Sequence, residues 1–116
     1  MWEVTPSQRL LYGLHLKYLG CELTAFERYT DALTYLQEHG SFDAIFISAI
    51  FPFKKELDFI PEVKRLFPRM PIVVMAQLEV EHMAFINPIH THATVFMFAP
   101  ATKFDFEKVL KQLNLL

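Results

Sequence analysis

The chain has 116 residues, enough for one domain and too few for a second core. Apolar residues make up 53% and aromatic ones 15%, which excludes a disordered chain. A net charge of −2 without any basic run gives no handle for a nucleic-acid backbone or an anionic membrane surface.

Cys21 is the only cysteine, so neither an internal disulfide nor a CxxC motif can form, and a reducing compartment is expected. The opening Met1-Trp2-Glu3 has no basic stretch leading into an apolar run, which argues against a signal peptide. The longest nearly apolar stretch, Ala44 to Phe53, is roughly half of what a membrane-spanning helix needs. A cytoplasmic location is the resulting expectation.

In chain order, Met1 to about Thr5 leaves room only for a very short first strand. Ser7 is a candidate cap for a helix on which Leu10, Leu11, Leu14 and Tyr18 recur at helical spacing, closed by Gly20. Cys21 to Phe26 alternates like a short strand. Thr30 is placed to cap a second helix through Ala32, Leu33, Tyr35 and Leu36, with His39 and Gly40 at its end. Ala44 to Ile50 is almost unbroken apolar sequence, the mark of a strand covered on both faces in a parallel sheet. Pro52 ends it, and Leu57, Ile60, Val63, Leu66 and Phe67 form a third helical stripe up to Pro68. Pro71 to Ala76 is a second doubly buried strand, 78–87 a weaker helix, and Thr94 to Phe98 a further strand. Phe104, Phe106, Val109, Leu110 and Leu113 mark a last amphipathic helix. Strand and helix alternating in this way predict an α/β doubly wound parallel sheet with helices on both faces.

The spacing of Asp43, Ser48, Pro52, Pro68 and Pro71, followed by Ala93 to Phe98 and Ala99-Pro100, resembles the response-regulator receiver family, of the chemotaxis-regulator type. The resemblance spans essentially the whole of residues 1–116, as one domain. It implies five parallel strands in the order 2-1-3-4-5 and a signalling role in a two-component pathway. Receivers hold magnesium with an acidic pair after the first strand and accept phosphate on an aspartate after the third. A Ser or Thr after the fourth strand and a Lys after the fifth contact the phosphoryl oxygens.

This chain departs from the pattern at each of those positions. The acidic pair falls at Val4 and Thr5, or at Glu3 and Val4 with the register slipped by one. The nucleophile position holds Ser48, the hydroxyl position Ala76 and the lysine position Ala99. Glu56 stands where the loop after the third strand usually has glycine. The expectation is a pseudo-receiver: a degenerate member that takes no phosphate, needs no cofactor or metal, and is not an enzyme.

Competing chemistry is weakly supported. Ser48 lies in no GxSxG turn. His90 and His92 offer two ligands without a third, and His15 and His82 sit on predicted helices. Gly13, Gly20 and Gly40 make no phosphate-binding loop. Glu79 or Glu81, near the old pocket, would imitate a phosphorylated state if its carboxylate reached in; a solvated loop is the plainer reading.

In receivers the surface of the fourth helix, fifth strand and fifth helix is the usual output and dimer face. Here it carries Phe85, Phe96, Phe98, Phe104 and Phe106, with Lys103, Lys108 and Lys111 beside them. Phe96 falls at or near the aromatic position that switches rotamer in signalling receivers. The sequence therefore points to a protein partner in a signalling pathway, bound by Phe85, Phe96, Phe98, Phe104 and Lys108, with a homodimer through the same face as a secondary expectation. The rival reading is a small-molecule sensor, whose ligand would sit in the crevice at the strand carboxyl ends where Ser48, Ala76 and Ala99 replace polar groups.

Overall fold

A computed structural model describes residues 1–49, 54–76, 94–99 and 101–116. The elements are α1 (Pro6–Tyr18), α2 (Tyr29–His39), β1 (Ile45–Ala49), α3 (Lys54–Leu66), β2 (Ile72–Ala76), β3 (Val95–Phe98) and α4 (Lys103–Gln112). The expected helix over 78–87 lies outside the described residues, as does Phe85.

β1, β2 and β3 are parallel neighbours in that order. Ser48 stands opposite Met75, Ala49 opposite Ala76, and Ala76 opposite Phe98. Side chains alternate across this sheet, and the two faces bury two separate clusters. Ile45, Ile47, Ile72 and Val74 pack with Ala32 and Leu36 of α2 and with Phe59, Ile60 and Val63 of α3. Phe46, Val73, Met75 and Met97 pack on the other side with Tyr12 and Leu16 of α1 and with Phe106, Val109 and Leu110 of α4. Every residue of β1 and β2 is buried, as expected of strands covered on both faces.

The amino-terminal segment takes the place beside β1. Trp2 forms isolated parallel bridges to Ile47 on one side and Phe26 on the other. Its amide donates to Phe46 O at 2.9 Å, and its carbonyl accepts from Ser48 N at 3.0 Å. The stretch Cys21 to Phe26, expected as a strand, makes only the bridge at Phe26. Pro6 already begins α1, so the first strand is too short to offer its outer neighbour a ladder.

Helix ends differ from the sequence expectation in two places. Thr5, not Ser7, is the N-cap of α1; Pro6 occupies the first turn, where its missing N–H costs nothing. Arg28, not Thr30, caps α2, so Thr30 lies inside the first turn. Gly20 and Gly40 leave their helices at φ of +90° and +89°, which a side chain would oppose. α4 opens with a capping box, Thr102 and Asp105 each bonding the other's backbone N–H.

The face α1 buries is another departure. Tyr12, Gly13 and Leu16 point inward, whereas Leu10, Leu11, Leu14 and Tyr18, the stripe by which the helix is recognised, point to solvent. Two stripes are present on this helix, and spacing alone does not say which one meets the sheet. Gly13 lets α1 come close to the 21–26 segment: a Cβ there would sit 3.1 Å from Leu23 Cδ2. No described helix is long and apolar enough to cross a membrane.

Candidate functional site

Three segments converge at the carboxyl ends of the strands. Glu3 follows Trp2, level with Ser48 on β1, and alternation turns both toward the α1 and α4 side of the sheet. Ala76 ends β2, and Ala99 follows β3 with its amide donating to Ala76 O at 2.8 Å. The structure thus brings Glu3, Ser48, Ala76 and Ala99 to one end of the sheet. Val4 and Thr5 lead from it into α1, partly buried.

Glu3 is the single carboxylate of this set, and it is fully buried. Its Oε2 accepts from Thr5 N at 3.0 Å, and its backbone carbonyl accepts from Arg9 Nη1 at 2.9 Å. Oε1 is buried without a hydrogen-bond partner. Ser48 is also buried, and the methyl groups of Ala76 and Ala99 offer neither donor nor charge. Such a set offers one carboxylate and one serine hydroxyl, but it presents no second carboxylate for a divalent ion and no cation to a phosphoryl group. Among the described residues there is no cluster of three or more His, Cys, Asp or Glu able to hold a metal ion. Glu56 is buried within the first turn of α3 rather than in a loop. Glu79, Glu81, His82, His90 and His92 lie outside the described residues.

The aromatic set proposed for docking divides. Phe106 is buried in the core, and Phe96 is partly buried against the cluster on the α2 and α3 side. Phe98 is 62% exposed and Phe104 73% exposed, and Lys108 is exposed on α4. The Lys103 ammonium lies 4.4 Å from the Tyr18 ring centre and 5.8 Å from that of Phe104, so Phe104 is linked to α1 rather than to Phe98. Phe98 instead meets Phe96 edge-on, ring centres 5.7 Å apart.

A cavity of about 640 Å³ lies at the opposite end of the sheet, near Met1, Cys21, Thr24, Phe42, Asp43 and Phe46. Its lining includes none of Ser48, Ala76 or Ala99. Nothing in the sequence signalled it, because it depends on how the ends of α1, α2 and α4 meet. The Met1 amine is buried there, donating to Thr24 O at 2.8 Å, and burial lowers its pKa from 8.0 to about 5. Partial burial, and then the Asp43 carboxylate, push the Cys21 thiol up. Less thiolate at neutral pH means slow alkylation. Iodoacetamide should therefore label Cys21 several-fold more slowly at pH 7.5 than it labels glutathione, a difference that closes in alkaline buffer. Asp43→Asn should speed labelling only in part, because burial, the larger cause, remains; a rate equal to that of glutathione in the unchanged chain would contradict this account.

No protein-family model matches the sequence, and no curated protein matches it. Solved structures do. A receiver domain protein of the CheY-like type from Methanospirillum hungatei JF-1 superposes with a TM-score of 0.78 at 16% identity, over 97% of this chain and 90% of that one. A receiver domain protein from Clostridium thermocellum gives 0.82 at 17% identity, over 97% and 89%. NtrX from Brucella abortus, in complex with ATP, gives 0.80 at 17% identity, and there the chain spans 25% of the longer protein. These similarities are in three-dimensional arrangement, at sequence identities too low to carry a role across. The chain has the receiver fold.

Proposed function

We propose that this chain is a receiver-fold signalling module that acts by binding protein partners and does not depend on phosphorylation of an aspartate. The observation carrying the reading is the composition of the strand-end site: Ser48, Ala76 and Ala99 beside one buried carboxylate, Glu3, whose Oε2 is engaged by the Thr5 amide. Receiver chemistry requires several charged oxygen ligands and a cation at once, and one inward carboxylate supplies neither. With no nucleophile activated by a neighbouring base among the described residues, the reading assigns the site no catalysis. Exposed Phe98 and Phe104, with Lys108 near the latter on α4, supply apolar contact and charge for docking.

Beryllofluoride with magnesium, an analogue of the phosphorylated aspartate, tests the reading directly. Amide NMR spectra of the ¹⁵N-labelled chain should show no saturable change at Glu3, Ser48, Ala76 or Ala99. Saturable shifts there would mean that the site still accepts a phosphoryl-like group, and phosphate independence would fall.

A further inference from the structure

The cavity of about 640 Å³ at the amino ends of the strands has a lining suited to positive charge. Its volume falls in the range of pockets that enclose small ligands. Leu16, Phe46 and Leu110, all buried, give it an apolar floor. Tyr35 and Phe42 line it as a stacked pair, ring centres 5.5 Å apart and planes 9° from parallel. Aromatic faces carry partial negative charge, so they attract a cation and not an anion.

The charged side chains at its rim are carboxylates. Glu22 and Asp43 both line the cavity, and both are exposed. Glu22 belongs to the segment that leaves α1 through Gly20, and Asp43 lies just before β1. The two segments lie against each other, close enough for the Asp43 carboxylate to act on the Cys21 thiol. No lysine, arginine or histidine lines the cavity, and among the described residues neither carboxylate is in an ion pair. The Met1 amine is the only basic group among the lining residues. Burial, which lowers its pKa to about 5, leaves it uncharged at neutral pH, so it does not offset the two acids. A bare metal ion is a poor occupant, since among the described residues no third ligand joins such a pair.

The geometry points to this cavity as a binding site for an organic cation, an amine or quaternary ammonium carried on an apolar body. The body would lie over Leu16, Phe46 and Leu110, and the charged head would turn to the rim, toward Glu22, Asp43 and the ring of Phe42. Such a ligand sits at the far end of the sheet from Ser48, Ala76 and Ala99, and the inference does not rest on what that end does. Saturation of the strand-end site by beryllofluoride would leave it standing, so the two readings can fail separately.

The test uses the full chain and three probes of one shape: phenylbutylammonium, phenylbutanol and phenylbutyrate. With the ammonium, amide shifts should saturate at residues 19–24 and 41–46. It should bind about tenfold or more tightly than the alcohol, and the anion should not saturate. Glu22→Gln combined with Asp43→Asn, at exposed positions that leave the fold intact, should erase the preference for the ammonium and leave the affinity for the alcohol unchanged. Bound ammonium should also slow iodoacetamide labelling of Cys21 several-fold, because the thiol lies on the cavity wall. Equal affinity for ammonium and alcohol, shifts confined to other surfaces, or no saturable binding would overturn the proposal. So would a preference that survives in the double variant, or Cys21 labelling that is not slowed when the ammonium is saturating.

Discussion

Trp2→Ala is expected to lower the unfolding free energy by about 3–5 kcal/mol, the range for emptying a large aromatic site in a core. The indole is almost wholly buried, with its Nε1 donating to Glu27 O at 3.1 Å. Its ring lies 5.2 Å from that of Phe59 and 5.8 Å from that of Tyr29. The same residue makes both bridges that seat the amino-terminal segment between Phe26 and β1. Truncation therefore leaves a cavity and loosens the contact between the 21–26 segment and the sheet. At this size each kcal/mol moves the melting temperature by roughly 4 °C, so a fall well beyond 10 °C is expected in a thermal scan followed by circular dichroism. Trp2→Phe keeps most of the volume, loses the bond to Glu27, and should cost clearly less. A Trp2→Ala variant melting within a few degrees of the parent would show that the segment is not seated as described.

Ser48→Asp, which restores the residue that receivers carry at this position, is expected to weaken the domain rather than repair it. Ser48 is buried, and Glu3 lies level with it on the adjacent segment, about 4.8 Å away by strand spacing. Glu3 Oε1 is already buried without a partner. A second carboxylate there would be desolvated and face like charge, with no lysine at Ala99 to balance it, a cost of about 3 kcal/mol or more. Urea unfolding followed by Trp2 fluorescence should show the loss, and the loss should shrink in acid, where the introduced carboxyl is protonated and uncharged. Ser48→Ala should stay within about 1 kcal/mol of the parent, because a hydroxyl and a methyl differ little in volume. A Ser48→Asp variant stabilised by millimolar magnesium would show instead that the site remains one residue from a working cation site, against the function proposed for the chain.

Much of the architecture is legible in local sequence. The runs at 45–49 and 72–76 are apolar at every position, which only a strand covered on both faces requires, and both form as expected. The stripe that includes Ile60 and Val63 gives α3, and the one with Phe106, Val109 and Leu110 gives α4, because each helix has one dominant apolar side. Ser48, Ala76 and Ala99, picked out by the resemblance to receivers, do lie at the carboxyl ends of β1, β2 and β3.

The errors fall where local pattern carries two answers. Cys21 to Phe26 alternates like a strand, but strand formation needs a neighbour, and Pro6 ends that neighbour after one bridge. α1 has two apolar stripes, and periodicity marks both alike. Which one is buried depends on Tyr12, whose hydroxyl accepts from Ala101 N at 3.2 Å and whose ring meets Phe106 edge-on, 5.4 Å between centres. Those partners lie far along the chain. The aromatic excess near the end divides for a similar reason: Phe106 and Phe104 are two residues apart on a helix, so when one points into the core the other points away.

The sequence by itself determined the alternating α/β plan and the two doubly buried strands, because these follow from composition and local period, whereas Ser48, Ala76 and Ala99 are singled out by the resemblance to receivers. Only the tertiary structure decided that Glu3 is buried beside Ser48, that the 640 Å³ cavity lies at the other end of the sheet, and that Leu10, Leu14 and Tyr18 face solvent. Each of those depends on contacts between segments distant in sequence, and a pattern of hydrophobicity along one segment contains no information about what comes to rest against it.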